Sequence, residues 1–124
     1  MNKYTKMVRK EDVERKWVHF DADGQILGRL AVEITKTLMG KNKVDFTPHI
    51  DGGDFVVVTN ASKIAVTGKK LTDKKYYNHS GFPGGIRERA LGEILDKKPE
   101  EVILLAVKRM LPKNKLGSAQ LTRL

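Results

Sequence analysis

The sequence predicts an α/β sandwich with a mostly parallel sheet, and three observations carry that prediction. Segments patterned as strand, helix, strand, strand and then helices follow one another along the chain. The run Phe55-Val56-Val57-Val58-Thr59 is β-branched and lacks polar alternation, as in strands buried on both faces of a parallel sheet. The chain has 124 residues, of which 40% are hydrophobic. That suits one compact domain, 1–124, with a real core. No internal repeat or linker interrupts it.

Each element has its own local signal. Residues 1–16 mix charges without an apolar period and read as an extended arm. Trp17 to Ala22 reads as a strand closed by the turn Asp23-Gly24. From Gln25 to Met39 the apolar residues Leu27, Leu30, Ala31, Ile34 and Leu38 recur at helical spacing. Gly40 suits the left-handed position after a helix. Lys41 to Asp54 is polar and turn-rich, and Asn60-Ala61-Ser62 ends the strand Phe55–Thr59. Ile64-Ala65-Val66 reads as a short element, followed by a basic turn over Thr67 to Lys70. Lys74 to His79 reads as a third strand, which places Lys75, Tyr77 and His79 on one face.

Ser80-Gly81-Phe82-Pro83-Gly84-Gly85 reads as a loop leading into a helix over Ile86 to Leu95, with Ile86, Ala90, Leu91, Ile94 and Leu95 on one side. A further helix starts near Pro99. Proline suits its first position, Glu100 and Glu101 its positive end, and Lys108 and Arg109 its negative end. Its centre, Val102 to Val107, is apolar all round and should be buried. Pro112 stops it, and Leu116 to Leu124 reads as a last short helix.

Composition excludes several classes of function. There is no cysteine, hence no disulfide, thiolate metal site or cysteine nucleophile. No apolar run approaches the ~18 residues of a membrane span, and the basic N-terminus lacks the apolar core of a signal peptide. A cytoplasmic protein without membrane or small-molecule partners is therefore expected.

The charge is lopsided. Residues 1–62 carry 10 basic and 9 acidic side chains, whereas residues 63–124 carry 14 and 6. From Lys108 to Leu124 there are five basic residues and no acid. Concentrated positive charge attracts polyanions, and in a cytosol that means nucleic acid, because each neutralised phosphate releases counterions.

The chemistry-bearing residues do not assemble a catalyst. His19, His49 and His79 lack zinc-ligand spacing, so no metal or other cofactor is expected; His19 reads as a core or structural residue. Asp21 with Asp23, and Asp51 with Asp54, form carboxylate pairs beside glycines, where aspartate serves local turns. The glycine-rich loop matches neither a dinucleotide fingerprint nor a P-loop, but before a helix its amides could hold a phosphate.

The basic residues form the stronger pattern. Lys69, Lys70, Lys74 and Lys75 surround the tyrosines Tyr76 and Tyr77, one of which is expected in the core. His79 and Ser80 lie next to the glycines, Arg87 and Arg89 follow them, and Lys108, Arg109, Lys113 and Lys115 flank Met110-Leu111-Pro112. Basic side chains beside aromatics bind phosphates while rings stack on exposed bases. No helix-turn-helix, zinc finger or RNP motif is present, which favours folded RNA over a DNA sequence.

Four segments then become specific. They are Trp17 with Asp21-Ala22 and Leu27-Gly28-Arg29-Leu30-Ala31; His49 to Ala61; Lys75 to Gly85; and Val107-Lys108-Arg109-Met110-Leu111-Pro112-Lys113-Asn114-Lys115-Leu116-Gly117. Together, and in this order, they resemble the large ribosomal subunit protein number 13 family in its bacterial form. The resemblance implies a three-layer α/β/α sandwich with a mostly parallel sheet of about four strands. It implies a non-enzymatic constituent of the large ribosomal subunit that binds large-subunit ribosomal RNA, touches neighbouring ribosomal proteins and supports early assembly.

Carried over by position, the RNA-facing residues are the twelve basic and polar residues just named, from Lys69 to Lys115. The sequence departs from the family at Ser118, where a basic residue is usual after the glycine. The family's final strand and basic tail lie past Leu124, which leaves open whether the last strand is missing and a sheet edge exposed. Two other readings are open to the same residues: an RNA-acting α/β enzyme, and a regulator that binds RNA away from the ribosome.

Overall fold

The computed structural model describes residue 4 and residues 6–124. Residues 1–3 and 5 of the expected arm lie outside the described residues. Residues 6–16 have no regular secondary structure apart from a 3₁₀ turn at Lys10–Asp12, and Val8 is buried. Strand β1 (Trp17–Asp21) pairs in parallel with β2 (Phe55–Thr59), with Trp17 opposite Phe55 and Asp21 opposite Thr59. Between them runs helix α1 (Leu27–Met39), which buries Leu27, Leu30, Ala31, Ile34 and Leu38, the five residues its periodicity selects. Gly40 ends it at φ 78°, with its N–H donating back to Lys36 and Thr37 carbonyls. Ile26 forms an isolated parallel bridge to Ala65 outside the named strands.

After a 3₁₀ turn at Ala61–Lys63 come the one-turn helix α2 (Lys70–Asp73) and strands β3 (Lys75–His79) and β4 (Ile86–Ala90). Helices α3 (Leu91–Lys97), α4 (Pro99–Met110) and α5 (Lys115–Leu121) complete the described chain. Helix α4 packs on α1, α3 and α5. Its apolar centre has no exposed residue, as its all-round hydrophobicity predicts. Ile34, Leu38, Leu91, Ile94, Val102 and Val107 are the largest fully buried side chains and tie α1, α3 and α4 into one cluster. Complete burial of each such side chain contributes about 1.5–3 kcal/mol.

The structure corrects the sequence reading in four places. The fold is mixed α/β, but the described residues carry two separate two-stranded sheets. They do not form the single sheet of about four mostly parallel strands around which a three-layer sandwich was expected. Second, Ile86 to Leu95 is not one helix. Ile86–Ala90 is a strand antiparallel to β3, and only Leu91 onward is helical. The loop decides this: Gly81 at φ 85° and Gly84 at φ 68° turn the chain back, and Ser80 N–H donates to Gly85 O at 3.0 Å. The glycine-rich loop thus closes a hairpin and does not open a helix.

Third, β2 is not buried on both faces. Val56 is buried, while Val57 and Thr59 are exposed on the side that carries Trp17 and His19. Fourth, His19 is an exposed residue of that open face and not a core residue; its Nε2 lies 2.8 Å from Thr59 Oγ1.

Candidate nucleic-acid interface

The basic block after β2 is built by α2 and β3. Lys69 precedes α2, Lys70 lies in it, and Lys74 follows it into the strand. Of the two tyrosines, Tyr76 is the buried one, 5% exposed, while Tyr77 is exposed. Alternation along β3 requires that division. Lys74 Nζ stands 5.6 Å and Arg109 Cζ 5.0 Å from the Tyr76 ring centroid, within cation–π range. Burial raises the Tyr76 phenol above its ordinary pKa, and the Arg109 charge opposes that shift only in part. This contact joins the Lys69–Lys75 block to the Lys108–Lys115 block, which lies more than thirty residues on in sequence.

The hairpin sorts its cations onto two faces. Register places Tyr76 opposite Arg89 and Asn78 opposite Arg87, and Lys75, Tyr77 and His79 opposite Ala90, Glu88 and Ile86. Directly paired residues share a face. Arg87 and Arg89 therefore lie on the Tyr76 side, and Lys75 and His79 on the other. Lys75 Nζ is held 2.6 Å from Glu88 Oε1, and that hydrogen bond keeps its amine above the ordinary lysine range. Arg89 pairs with Glu101 at 3.4 Å, tying β4 to the start of α4.

Lys75 and Arg89 are thus partly neutralised. Lys69, Lys70, Lys74, Arg87, Lys108, Arg109, Lys113 and Lys115 make no ion pair among the described residues. His79 Nδ1 accepts the Gly81 N–H at 2.9 Å, so in the neutral ring Nε2 carries the proton and is a free-standing donor. Ser80 sits at the hairpin end, with its Oγ packed where a Gly85 side chain would have to go.

The signature segment has a structural task beneath its charge. Helix α4 ends at Met110, Leu111 is buried, and the chain reverses at Pro112. Asn114 caps α5 by accepting the Gly117 N–H at 2.8 Å. A Cβ on Gly117 would stand 1.8 Å from Pro112 O, so only glycine permits this approach. The turn holds Lys108, Arg109, Lys113 and Lys115 around a groove of about 670 Å3 that no carboxylate lines. Asn78, His79, Ser80, Arg87, Glu88 and Arg89 line a second concavity of about 750 Å3 at the hairpin. A cavity of about 500 Å3 between the arm and the 41–54 loop is different in kind: Asp12, Glu14 and Asp45 line it beside its lysines.

Sequence reasoning missed two features. Arg123, counted with the basic half, belongs to no such groove. Its side chain is buried, grips Asp51 with two nitrogens at 2.5 and 2.7 Å, and donates to Leu38 O at 2.8 Å. Asp51 also receives Arg15, while Asp54 accepts the Lys16 N–H and Lys43 Nζ. Burial pushes the Asp54 carboxyl up, but those two donors outweigh it and hold it below the usual range. The pair Asp51/Asp54 is therefore a long-range clasp and not a local turn. Asp21 combines both kinds of contact: it accepts from Asn60, 39 residues away, and from the local Asp23 N–H, which lower its pKa in that order.

The second missed feature is the stack of Trp17, 69% exposed, on Phe55 with ring centroids 4.5 Å apart. The only available signal was the lone tryptophan at the start of a strand. Among the described residues no group of three or more His, Asp or Glu side chains converges as a metal site would require. None of the described helices is long and apolar enough to cross a membrane.

Fold and surface together define a small basic α/β protein that presents unpaired cations around concave surfaces. The chain belongs to the ribosomal protein L13 family, whose model matches residues 15–124. Among curated relatives it is 60% identical to the large ribosomal subunit protein uL13 of Aquifex aeolicus over 120 residues, 97% of this chain and 83% of the relative. It is 56% identical to the proteins of the same name from Thermotoga petrophila and Citrifermentans bemidjiense, covering 97% of this chain and 80% and 84% of those relatives.

Proposed function

We propose that the chain is a structural, non-enzymatic constituent of the large ribosomal subunit in the cytoplasm, that it acts as a single domain, and that it binds large-subunit ribosomal RNA and supports early assembly. The observation that carries this reading is that seven cations without ion-pair partners among the described residues, Lys70, Lys74, Arg87, Lys108, Arg109, Lys113 and Lys115, line the two grooves above and a concave space between α1, β3 and α4. Several cations elsewhere are held by carboxylates, as at the clasp of Asp51 and Asp54 and in the helical pairs Glu33–Lys36 and Glu93–Lys97. Unpaired, clustered cations suit phosphates, whose binding releases counterions. The relatives' common name, large ribosomal subunit protein uL13, supports the large-subunit ribosomal RNA as the nucleic acid in question. Neighbouring ribosomal proteins are the fitting partners for surfaces that carry no such charge, the Trp17 face among them.

Sedimentation through a sucrose gradient tests the assignment. The native protein is expected to travel with the large subunit and to stay there at moderate salt. Recovery only from the soluble top fractions would remove the ribosomal reading.

A further inference from the structure

The concave surface with the most enclosed chemistry is the cleft between the start of α1, the 65–67 segment, β3 and the end of α4. Its volume is about 200 Å3, below the ~300–1,000 Å3 of pockets for small-molecule ligands. Leu27, Val66 and Ala106 make apolar walls, and Lys70, Lys74 and Arg109 stand among the lining residues. No carboxylate lines it. Tyr76 lies inside, with Arg109 and Lys74 held over its ring.

A further observation points the same way. Helix α1 has Ile26 as its N-cap, and no side chain caps the helix. Leu27 N–H is taken by Ala65 O, but Gly28 lines the cleft and belongs to the first turn, whose N–H groups have no intrahelical acceptor. Apart from its chain neighbours and its own helix backbone, nothing lies within 4 Å of where a Gly28 Cβ would stand, so a ligand can approach this backbone. The positive end of a thirteen-residue helix, three unpaired cations and an apolar wall thus converge on a space of one small unit.

We propose that this cleft seats the base of a single unstacked nucleotide of an RNA chain, against the Leu27, Val66 and Ala106 wall, with the nucleotide's phosphate at the rim toward Lys70 and Lys74. The inference rests on the RNA-binding reading above and adds a place where one nucleotide leaves the stack. Apolar walls favour a base over a bare phosphate. The flat Arg109 guanidinium, held with its Cζ 5.0 Å from the Tyr76 ring centroid, offers a base the kind of stacking surface that single-stranded RNA uses.

The test uses the full chain labelled with 15N and three probes: inorganic phosphate, AMP, and a single-stranded RNA hexamer. The hexamer is expected to shift the Gly28, Val66 and Tyr76 amides, AMP to shift them at higher concentration, and phosphate least of all. Ala106→Leu, which fills the cleft without changing charge, should weaken hexamer binding by about tenfold, in line with the loss of one stacked base. Lys70→Gln with Lys74→Gln, which leave every fully buried side chain in place, should do the same if Ala106→Leu disturbs folding. Lys97→Gln, outside the cleft, should change nothing.

If the hexamer binds with steep salt dependence but moves none of these amides, and neither cleft variant weakens it, the cleft proposal fails while the RNA-binding reading stands. If neither the hexamer nor folded large-subunit RNA binds at all, both fail. AMP binding as tightly as the hexamer would assign the cleft to a free nucleotide and overturn the RNA assignment.

Discussion

Arg123 shows how one side chain can close a fold. It reaches from the described C-terminal end to Asp51, to the last turn of α1 at Leu38, and to the Asp54 carbonyl. Arg123→Ala leaves Asp51 half-buried beside the single, longer contact of Arg15, and should cost about 2–4 kcal/mol in urea unfolding. The neighbouring Gly53 has no room for a side chain: its Cβ would stand 1.7 Å from Leu38 O. Asp54 adds a pH dependence. Its folded pKa is depressed, so its contribution is present above the unfolded value of about 3.9 and is lost as pH falls through the lower folded value. The thermal midpoint should therefore drop on acidification below about pH 4, and less steeply in Asp54→Asn. Equal slopes for the two proteins would remove Asp54 from the clasp. The sequence displayed these aspartates and glycines but not their partner, because the contact spans 72 residues.

Among the elements, legibility followed the strength of the local signal. The helices α1 and α4 were visible because their apolar residues repeat at helical spacing and their ends carry Gly40, Pro99 and Pro112. Strand β4 was not. Ile86, Ala90, Leu91, Ile94 and Leu95 fit a helical face as a string, yet Ile86 is 64% exposed and Ile94 only 2%. Tertiary pairing with β3, set by the left-handed glycines of the hairpin, overrides that pattern over Ile86–Ala90. The difference is measurable. Ile94→Ala should cost about 2–5 kcal/mol as a cavity in the core, and Ile86→Ala about 0.5 kcal/mol or less. Similar losses at both positions would restore a single helix with both residues inside.

Across the molecule, the lopsided charge was legible from counting alone, but its arrangement was not. Of the twelve residues expected to face RNA, the structure gathers Lys70, Lys74 and Arg109 at one cleft and Lys108, Lys113 and Lys115 beside it. It sets Lys75 and His79 on the opposite side of the hairpin from Arg87 and Arg89, because antiparallel register decides which side each residue takes, although His79 meets both arginines at the hairpin concavity. Ion pairing then divides them again, since Lys75 and Arg89 already hold carboxylates. The sequence could count these charges; only the fold shows which remain available.

If the unpaired cations of the C-terminal half hold ribosomal RNA by its phosphates, binding to isolated large-subunit RNA must depend steeply on salt. Affinity should fall by about 10³ or more between ~50 and ~200 mM salt if six or more phosphates are engaged. The variant Lys108→Gln, Arg109→Gln, Lys113→Gln, Lys115→Gln should reduce the slope of log affinity against log salt by about one unit for each phosphate no longer engaged. A flat salt response, or a slope untouched by those four substitutions, would refute phosphate binding by these residues.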